Sequence, residues 1–443
     1  MAGVQSVVPR YLAGFNCIGG ECPDTCCAGW DVTVDKAQFK KLRAAPDAAI
    51  ERAVREHIKP VPGMPTELHA KIVLRPDKSC PMLDGAKLCS IQKRLGPAWL
   101  PRICNDFPRN YFYVGDHPEV FATFACPEAA RLGLLAADAF APAEVALPFP
   151  PGKPVPYRCG FKGTQDQHSD PLQRHFGRIR DFFWDTLRIR EYSLSQRLLL
   201  LGLLARRLGG VAFLDDPSRS QIATQDRAMQ TALVEYAGVL VDGSLRHLTP
   251  SRSAQEPESQ LREALLRQSV LQGLTAVRMS AFTTANHPGF LQCVEQAFNG
   301  FGFDSEDAVG SAARFEAAER DWFGPYDRAH PHILENFLLN EIGGSFFPLG
   351  KEWHGIELEW MAIMVLYALV RFYLIGLAGF YREQFSGEHY VRLIQSVCRV
   401  ISHNAGFLKQ VHLELGKHGM DNLASIAILI RELAQGGGAA GDF

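Results

Sequence analysis

The chain has 443 residues, 47% of them hydrophobic and 21% charged, and a formal net charge of −2. These are ordinary values for a soluble globular protein with room for two or three domains. The missing basic excess argues against a sequence-independent nucleic-acid binder, so no nucleic-acid partner is expected.

The first ten residues lack a charged segment followed by an apolar run of signal-peptide length. No export signal is read there, and a cytoplasmic location without a membrane partner is expected. In that compartment clustered thiols bind metal more often than they pair as disulfides.

Residues 1–140 read as a loop-rich unit with little β structure. The alternating run ending at Val34 suggests a short strand, and Asp35 is placed to cap a helix through Phe39 and Leu42. Lys71 to Leu74 and Asn110 to Val114 suggest two more strands. Prolines at 60, 62, 65, 76, 81, 97, 101 and 108 break up the rest. Such a unit has a thin core and needs a staple, which metal–thiolate bonds supply.

Six prolines between 141 and 160 mark a linker over 141–170. From 171 to 435 the pattern is helical. Apolar residues recur three and four apart over Leu172 to Arg190. Ser193 or Ser195 then opens the leucine run ended by Gly209 and Gly210. Further helices are expected at 222–241, 257–280, 289–299, 310–322, 331–341, 355–382, 388–403, 406–416 and 420–434, with a flexible tail over 436–443. The fold class is therefore mainly α: a cysteine-rich metal-binding domain followed by a helical bundle. Trp360 to Tyr381 is long enough to span a membrane, but Arg371 sits near its middle. A mid-bilayer arginine costs about 2.5–3.5 kcal/mol, and the aromatic and small residues around it suit a buried core helix.

Eight of the eleven cysteines precede residue 127: Cys17, Cys22, Cys26, Cys27, Cys80, Cys89, Cys104 and Cys126. Four lie within eleven residues, and no helix or strand puts all four on one buried face. Thiolates are soft ligands that select zinc, copper(I) and iron–sulfur clusters, so all eight are metal-ligand candidates. The spacings, C-x4-C-x3-C-C and then C-x8-C-x14-C, match neither paired zinc knuckles nor the ferredoxin patterns. An iron–sulfur cluster is favoured, with zinc as the alternative. Cys26 and Cys27 point apart unless the backbone turns sharply, which Pro23 and Gly29 permit.

The run from Cys17 to Trp30 is followed by Cys80-Pro81-Met82-Leu83-Asp84, by Leu88-Cys89-Ser90-Ile91-Gln92, and by Arg102 to Arg109. Together these resemble the flagellin lysine-N-methylase family. Its cysteine region is similar to that of the broader zinc- or iron-chelating YkgJ-like proteins. His332 to Leu338, Phe346-Phe347-Pro348 and Ser402-His403-Asn404 resemble the family's helical half. The resemblance implies methylation of lysine ε-amines on flagellin, with S-adenosylmethionine as donor and the cysteines as ligand candidates; a 4Fe–4S cluster, or alternatively zinc, is the metal centre expected.

Direct methyl transfer needs a neutral lysine nitrogen, and Glu335, His332 or His403 could take its proton. Asn336 and Asn404 could orient the amine or the donor. Arg102 and Arg109 flank Cys104 and could balance a thiolate-bound cluster. Gly300-Phe301-Gly302 is a lone Gly-x-Gly without a preceding strand, so no nucleotide-type turn is read. The three-cysteine C-x3-C-x2-C motif is missing as well. No lysine lies between Lys162 and Lys351. The rival reading is a non-enzymatic metal- or redox-sensing, iron–sulfur-binding interaction protein.

Overall fold

The computed structural model describes residues 4–29, 31–115, 117–147, 160–161, 168, 170–211, 218–247, 257–280, 288–304, 306–350, 355–402, 413, 415–416 and 422–432. Eight short strands occur among them. They are β1 (Val4–Pro9), β2 (Thr33–Val34), β3 (Ile58–Pro60), β4 (Ala70–Ile72), β5 (Arg109–Val114), β6 (His117–Ala122), β7 (Pro142–Leu147) and β8 (Gly160–Phe161). The N-terminal helices are α1 (Arg10–Ala13), α2 (Lys36–Arg43), α3 (Ala48–His57), α4 (Ser90–Leu95), α5 (Arg102–Asp106) and α6 (Pro127–Leu135). Then come α7 (Pro171–Arg174), α8 (Phe176–Leu187), α9 (Leu194–Gly209), α10 (Arg219–Val241), α11 (Pro257–Ser280) and α12 (Pro288–Gly300). The chain continues through α13 (Ala308–Ala318), α14 (Gly324–Ala329), α15 (His332–Gly344), α16 (Ile356–Tyr381), α17 (Gly387–Val397) and α18 (Leu423–Ile430). The mainly α class holds.

Local chemistry explains several helix starts. The Asp35 carboxylate accepts from Gln38 N at 2.8 Å and opens α2 as expected. Asp47 does the same for α3, a helix that the proline-broken sequence hid. Ser193, rather than Ser195, caps α9 in a reciprocal box with Gln196, and Ser218 and Gln221 repeat the device at α10. Helices 310–322 and 388–403 end differently from expectation: each passes into a π-helical turn, Glu319–Phe323 and Cys398–Ser402. Most of the expected helix 406–416 and the tail 436–443 lie outside the described residues.

The expected unit 1–140 is divided between two cores. Val32, Val34, Leu42, Ile50, Val54, Ile58, Ile72, Met82 and Ile91 form a small core of their own, over the antiparallel sheet β2-β4-β3. Tyr11, Phe15, Phe112, Phe121, Phe124 and Leu134 instead join the large core built on Phe176, Phe183, Trp360 and Tyr367. The expected linker begins with a strand, since β7 pairs antiparallel with β1 from Val4↔Leu147 to Pro9↔Pro142. Residues 8–15, 109–115 and 117–147 are therefore part of the helical body.

Helix α16 runs through the middle of that body. Its apolar window is 94% buried inside the protein, as the core-helix reading expects. Glycines let α12 cross it at backbone contact. A Cβ on Gly376 would stand 2.4 Å from Ala297 O, and one on Gly379 2.5 Å from Gly300 O. Helix α17 lies antiparallel to α6. Gln395 near its end reaches Ala125 O just before α6, while Gly387 at its start abuts Leu135 at the end of α6. Cys126 and the thiol segment around Asp24 lie at one end of this pair, and the first turn of α15 at the other.

Candidate functional site

The thiol-bearing segment 17–29 has little regular structure beyond one 3₁₀ turn, Gly19–Glu21. Thr25 Oγ1 accepts from Cys27 N at 3.1 Å and bends the chain, so the two vicinal sulfurs stand 3.9 Å apart rather than on opposite sides. Gly29 takes φ +79°, a left-handed conformation that glycine adopts without Cβ strain. The next few residues then staple to the second cysteine segment: Cys80 N donates to Cys27 O at 2.7 Å, and Gly29 N to Lys78 O at 3.0 Å. Asp84 closes the following turn by accepting from Ala86 N and Leu88 N, and this returns Cys89 beside Leu83. Cys89 and Cys126 occupy the positions just before α4 and α6, where free backbone N–H groups favour a thiolate.

The distant cysteines converge electrostatically. Cys27 feels the charges of Cys104 and Cys80, and Cys104 those of Cys80, Cys89 and Cys26. Cys126 feels Cys22 and Cys26, and Cys22 feels Cys17. Two sets therefore meet at the Cys26–Cys27 pair: Cys80, Cys89 and Cys104 on the small core's side, and Cys17, Cys22 and Cys126 on the body's side. Burial first, then repulsion between neighbouring thiolates, raises the pKa of Cys22, Cys80 and Cys104. Burial also raises Cys89, and it pushes Cys126 up to about 12. Cys26 is the exception. A hydrogen bond from Cys27, aided by the Arg399 charge, lowers it to about 7, while Cys27 holds the shared proton and is raised. Among the described residues no three Cys, His, Asp or Glu side chains stand at ion-holding spacing.

The helical body reaches this centre from α17 and the π-turn after it. Gln395 Nε2 donates to Asp24 Oδ2 at 2.9 Å and to Ala125 O at 3.1 Å. Arg399 pairs with Asp24 and donates to Ala28 O at 2.9 Å. Cys398 Sγ lies 3.8 Å from Glu341 on α15. Sequence reading missed Asp24, Gln395 and Arg399, whose only signal is contact with or within the thiol segment, and Glu341, which stands beside Cys398. Arg102 is 3.7 Å from Asp106, and its Nε and Nη2 are buried with no hydrogen-bond partner. Arg109 lies over the Phe15 ring at 5.2 Å, and its Nε is likewise buried and unbonded.

The sequence-derived acid–base candidates sit elsewhere. Glu335 is 2% exposed, and both its oxygens are engaged, by Arg197 at 2.9 Å and by Arg190 at 2.7 Å. His332 Nε2 meets Leu135 O at 3.1 Å, and Asn336 Nδ2 donates to Ala136 O at 2.9 Å. These two side chains satisfy carbonyls at the end of α6. Nine residues of α6 at 1.5 Å each put them about 13 Å from Cys126. His403 and Asn404 lie outside the described residues. Near the first turn of α15, Asp327 accepts from Tyr390 Oη at 3.2 Å, and burial raises its pKa to about 7. Sequence reading missed Asp327 as well.

A profile of the FliB lysine N-methylase C-terminal domain matches residues 180–429, more than half of the chain. The chain belongs to the FliB lysine N-methylase family. It is 34% identical over 149 residues to the lysine-N-methylase of Salmonella choleraesuis, covering 33% of this chain and 37% of that protein. The lysine-N-methylase of Salmonella typhimurium is 33% identical over the same length and shares. The flagellar biosynthetic protein FliU of Salmonella muenchen is 33% identical over 146 residues, which cover 32% of this chain and 85% of FliU. The match thus spans little more than a third of the two methylases' own length. No solved structure matches.

Proposed function

We propose that this protein is a protein-lysine N-methyltransferase that moves a methyl group from S-adenosylmethionine to lysine ε-amines of flagellin, beside a metal centre held by its cysteines. Family membership supports the reaction class, and the names of the relatives support the flagellar substrate. The single observation that carries the site is the packing of Cys27, Cys80, Cys89 and Cys104 in one small core, with Cys80 N donating to Cys27 O at 2.7 Å.

The chemistry of the donor set, soft and partly buried thiols, suits a metal, while no three of the described side chains stand at ion-holding spacing, so binding would have to draw the sulfurs together. As bare thiolates these groups repel one another, and most are raised by burial, so a bound cation would relieve both penalties. Cys80, Cys89 and Cys104 with one sulfur of the Cys26–Cys27 pair would hold a 4Fe–4S cluster, zinc being the alternative, with Cys17, Cys22 and Cys126 on the other flank. The unbonded N–H groups of Arg102 and Arg109 suit an anionic cluster or the donor's carboxylate. When bound, such a centre supplies fixed charge and an anchor for the donor.

The transfer itself is a displacement. The lysine nitrogen lone pair forms the new N–CH₃ bond, the S–CH₃ bond breaks with its electrons passing to sulfur, and the methylated ammonium later loses a proton. With a reference pKa near 10.4, only about one lysine in a thousand is neutral at pH 7.4, so a nearby acceptor must assist. Asp24, which Arg399 and Gln395 engage, is the carboxylate in the clustered-thiol segment, and Glu341 stands beside Cys398. His332 and Glu335 are spoken for at the far end of α6.

The test is incubation of anaerobically purified protein with unmodified flagellin and donor, read by intact mass. Donor-dependent increments of one methyl, lost in Cys104→Ala, support the reading; their absence with metal-replete protein refutes it. A redox-sensing role has one observation in its favour, the acidified and exposed Cys26 beside Cys27. Reversible Cys26–Cys27 disulfide formation without methyl transfer would select that role.

A further inference from the structure

The small unit differs from the rest of the molecule in charge. Residues 31–104 carry fourteen Lys and Arg against eight Asp and Glu, a net +6 in a chain whose total is −2, so the remainder carries −8. All lysines among the described residues lie between Lys36 and Lys93. Several cations there are paired internally, such as Lys71 with Asp31, Lys93 with Asp84 and Arg94 with Asp47.

Helix α2 is the exception. Four of its eight residues are basic and none is acidic. Lys36, Lys40 and Arg43 recur at i, i+4 and i+7 and form one stripe, while Leu42 faces the core. Lys36 and Lys40 are exposed, and Arg43 is held across the Phe39 ring at 5.9 Å. Only Lys36 works against the helix dipole, since Lys40 and Arg43 lie in the last turn, where the dipole favours cations. Lys36 sits at the first helical position, and Lys36 and Lys40 are like charges one turn apart. That placement of Lys36 invites a functional explanation. The helix is also rigidly mounted on the segment leading to Cys104. Gln38 Nε2 donates to Trp99 O at 2.6 Å, and Lys41 Nζ to Ala98 O at 2.7 Å.

We propose that the Lys36–Lys40–Arg43 face of α2 is a docking surface for an acidic segment of a protein partner. It rests on the methylase reading only for naming that partner as flagellin. Bound there, an acidic segment lies on the unit that carries Cys80, Cys89 and Cys104. Single-stranded nucleic acid fits less well because it needs open aromatic faces for stacking. Here the Trp99 ring is covered by Lys41 at 4.6 Å, and Phe39 is flanked by Arg43 and His69.

The test compares the wild type, Lys36→Glu with Lys40→Glu, and Arg219→Glu with Arg227→Glu. The last makes the same change in net charge on exposed positions of α10. The probes are a fluorescent poly-glutamate peptide and an oligothymidylate of equal length. The peptide is expected to bind the wild type with steep salt dependence, about tenfold more weakly to the α2 variant, and unchanged to the α10 variant. Equal loss in both variants, no loss in the α2 variant, or tighter binding of the oligothymidylate overturns the proposal. With flagellin as methyl acceptor, the α2 variant raises KM and leaves kcat intact. If the wild type binds the peptide selectively yet methylates no flagellin, the methylase reading fails and the docking face stands.

Discussion

Replacing Glu335 by glutamine separates a structural from a chemical role for the first turn of α15. In the wild type its carboxylate meets Arg197 at 2.9 Å, with the two side chains 3% and 4% exposed. Breaking a buried pair by removing one charge costs about 3–5 kcal/mol, because the other charge stays buried and uncompensated. The second partner, Arg190, has a side chain 51% exposed, and that contact adds only about 0–1 kcal/mol. The amide oxygen of glutamine keeps one acceptor, so the expected loss is about 3 kcal/mol. At about 2–4 °C per kcal/mol for a large cooperative unit, the melting temperature falls by about 6 °C or more. Thermal and denaturant unfolding measure this, and methyl transfer is then assayed at a temperature where both proteins are folded. Per folded molecule the variant should keep its activity. Pairing Glu335→Leu with Arg197→Met should recover much of the stability, since two apolar groups leave no orphaned charge. A Glu335→Gln protein that melts with the wild type but transfers no methyl would refute the argument and return Glu335 to the chemistry.

Other outcomes test the packing, the titration and the thiol centre. Gly376→Ala puts a methyl 2.4 Å from Ala297 O and forces α12 from α16; a loss of about 1–3 kcal/mol in denaturant unfolding is expected. Asp327 has its folded pKa raised to about 7 by burial, so the stability it contributes is fully present below about pH 4 and is lost as pH rises through 7. Asp327→Asn should therefore flatten the pH dependence and melt higher than the wild type at pH 8; unchanged pH dependence would show that this carboxyl is not buried as described. Cys104→Ser should lower the metal retained after anaerobic purification. Cys293→Ser, at a buried position on α12, should not, and equal retention in both would remove Cys104 from the centre.

Local chemistry was legible in the chain wherever it acts over a few residues. The capping carboxylate of Asp35, the box at Ser193, the glycines ending α9 and the apolar length of α16 all involve neighbours within a turn or two, and each appears where the pattern places it. The thiols stood out in the chain as a group because no regular element buries four of them together. Partners were not legible. Glu335, His332 and Asn336 are chemically able residues, yet Arg197, Leu135 and Ala136 occupy them, and those contacts join positions 138 to 200 residues apart. Asp24 and Arg399 are 375 positions apart in sequence and meet only because α17 packs along α6. Composition and short-range periodicity are properties of the chain and fix what each segment can become. Which side chains keep their hydrogen-bonding capacity for a substrate depends on contacts between segments remote in sequence, and only the packed structure supplies those.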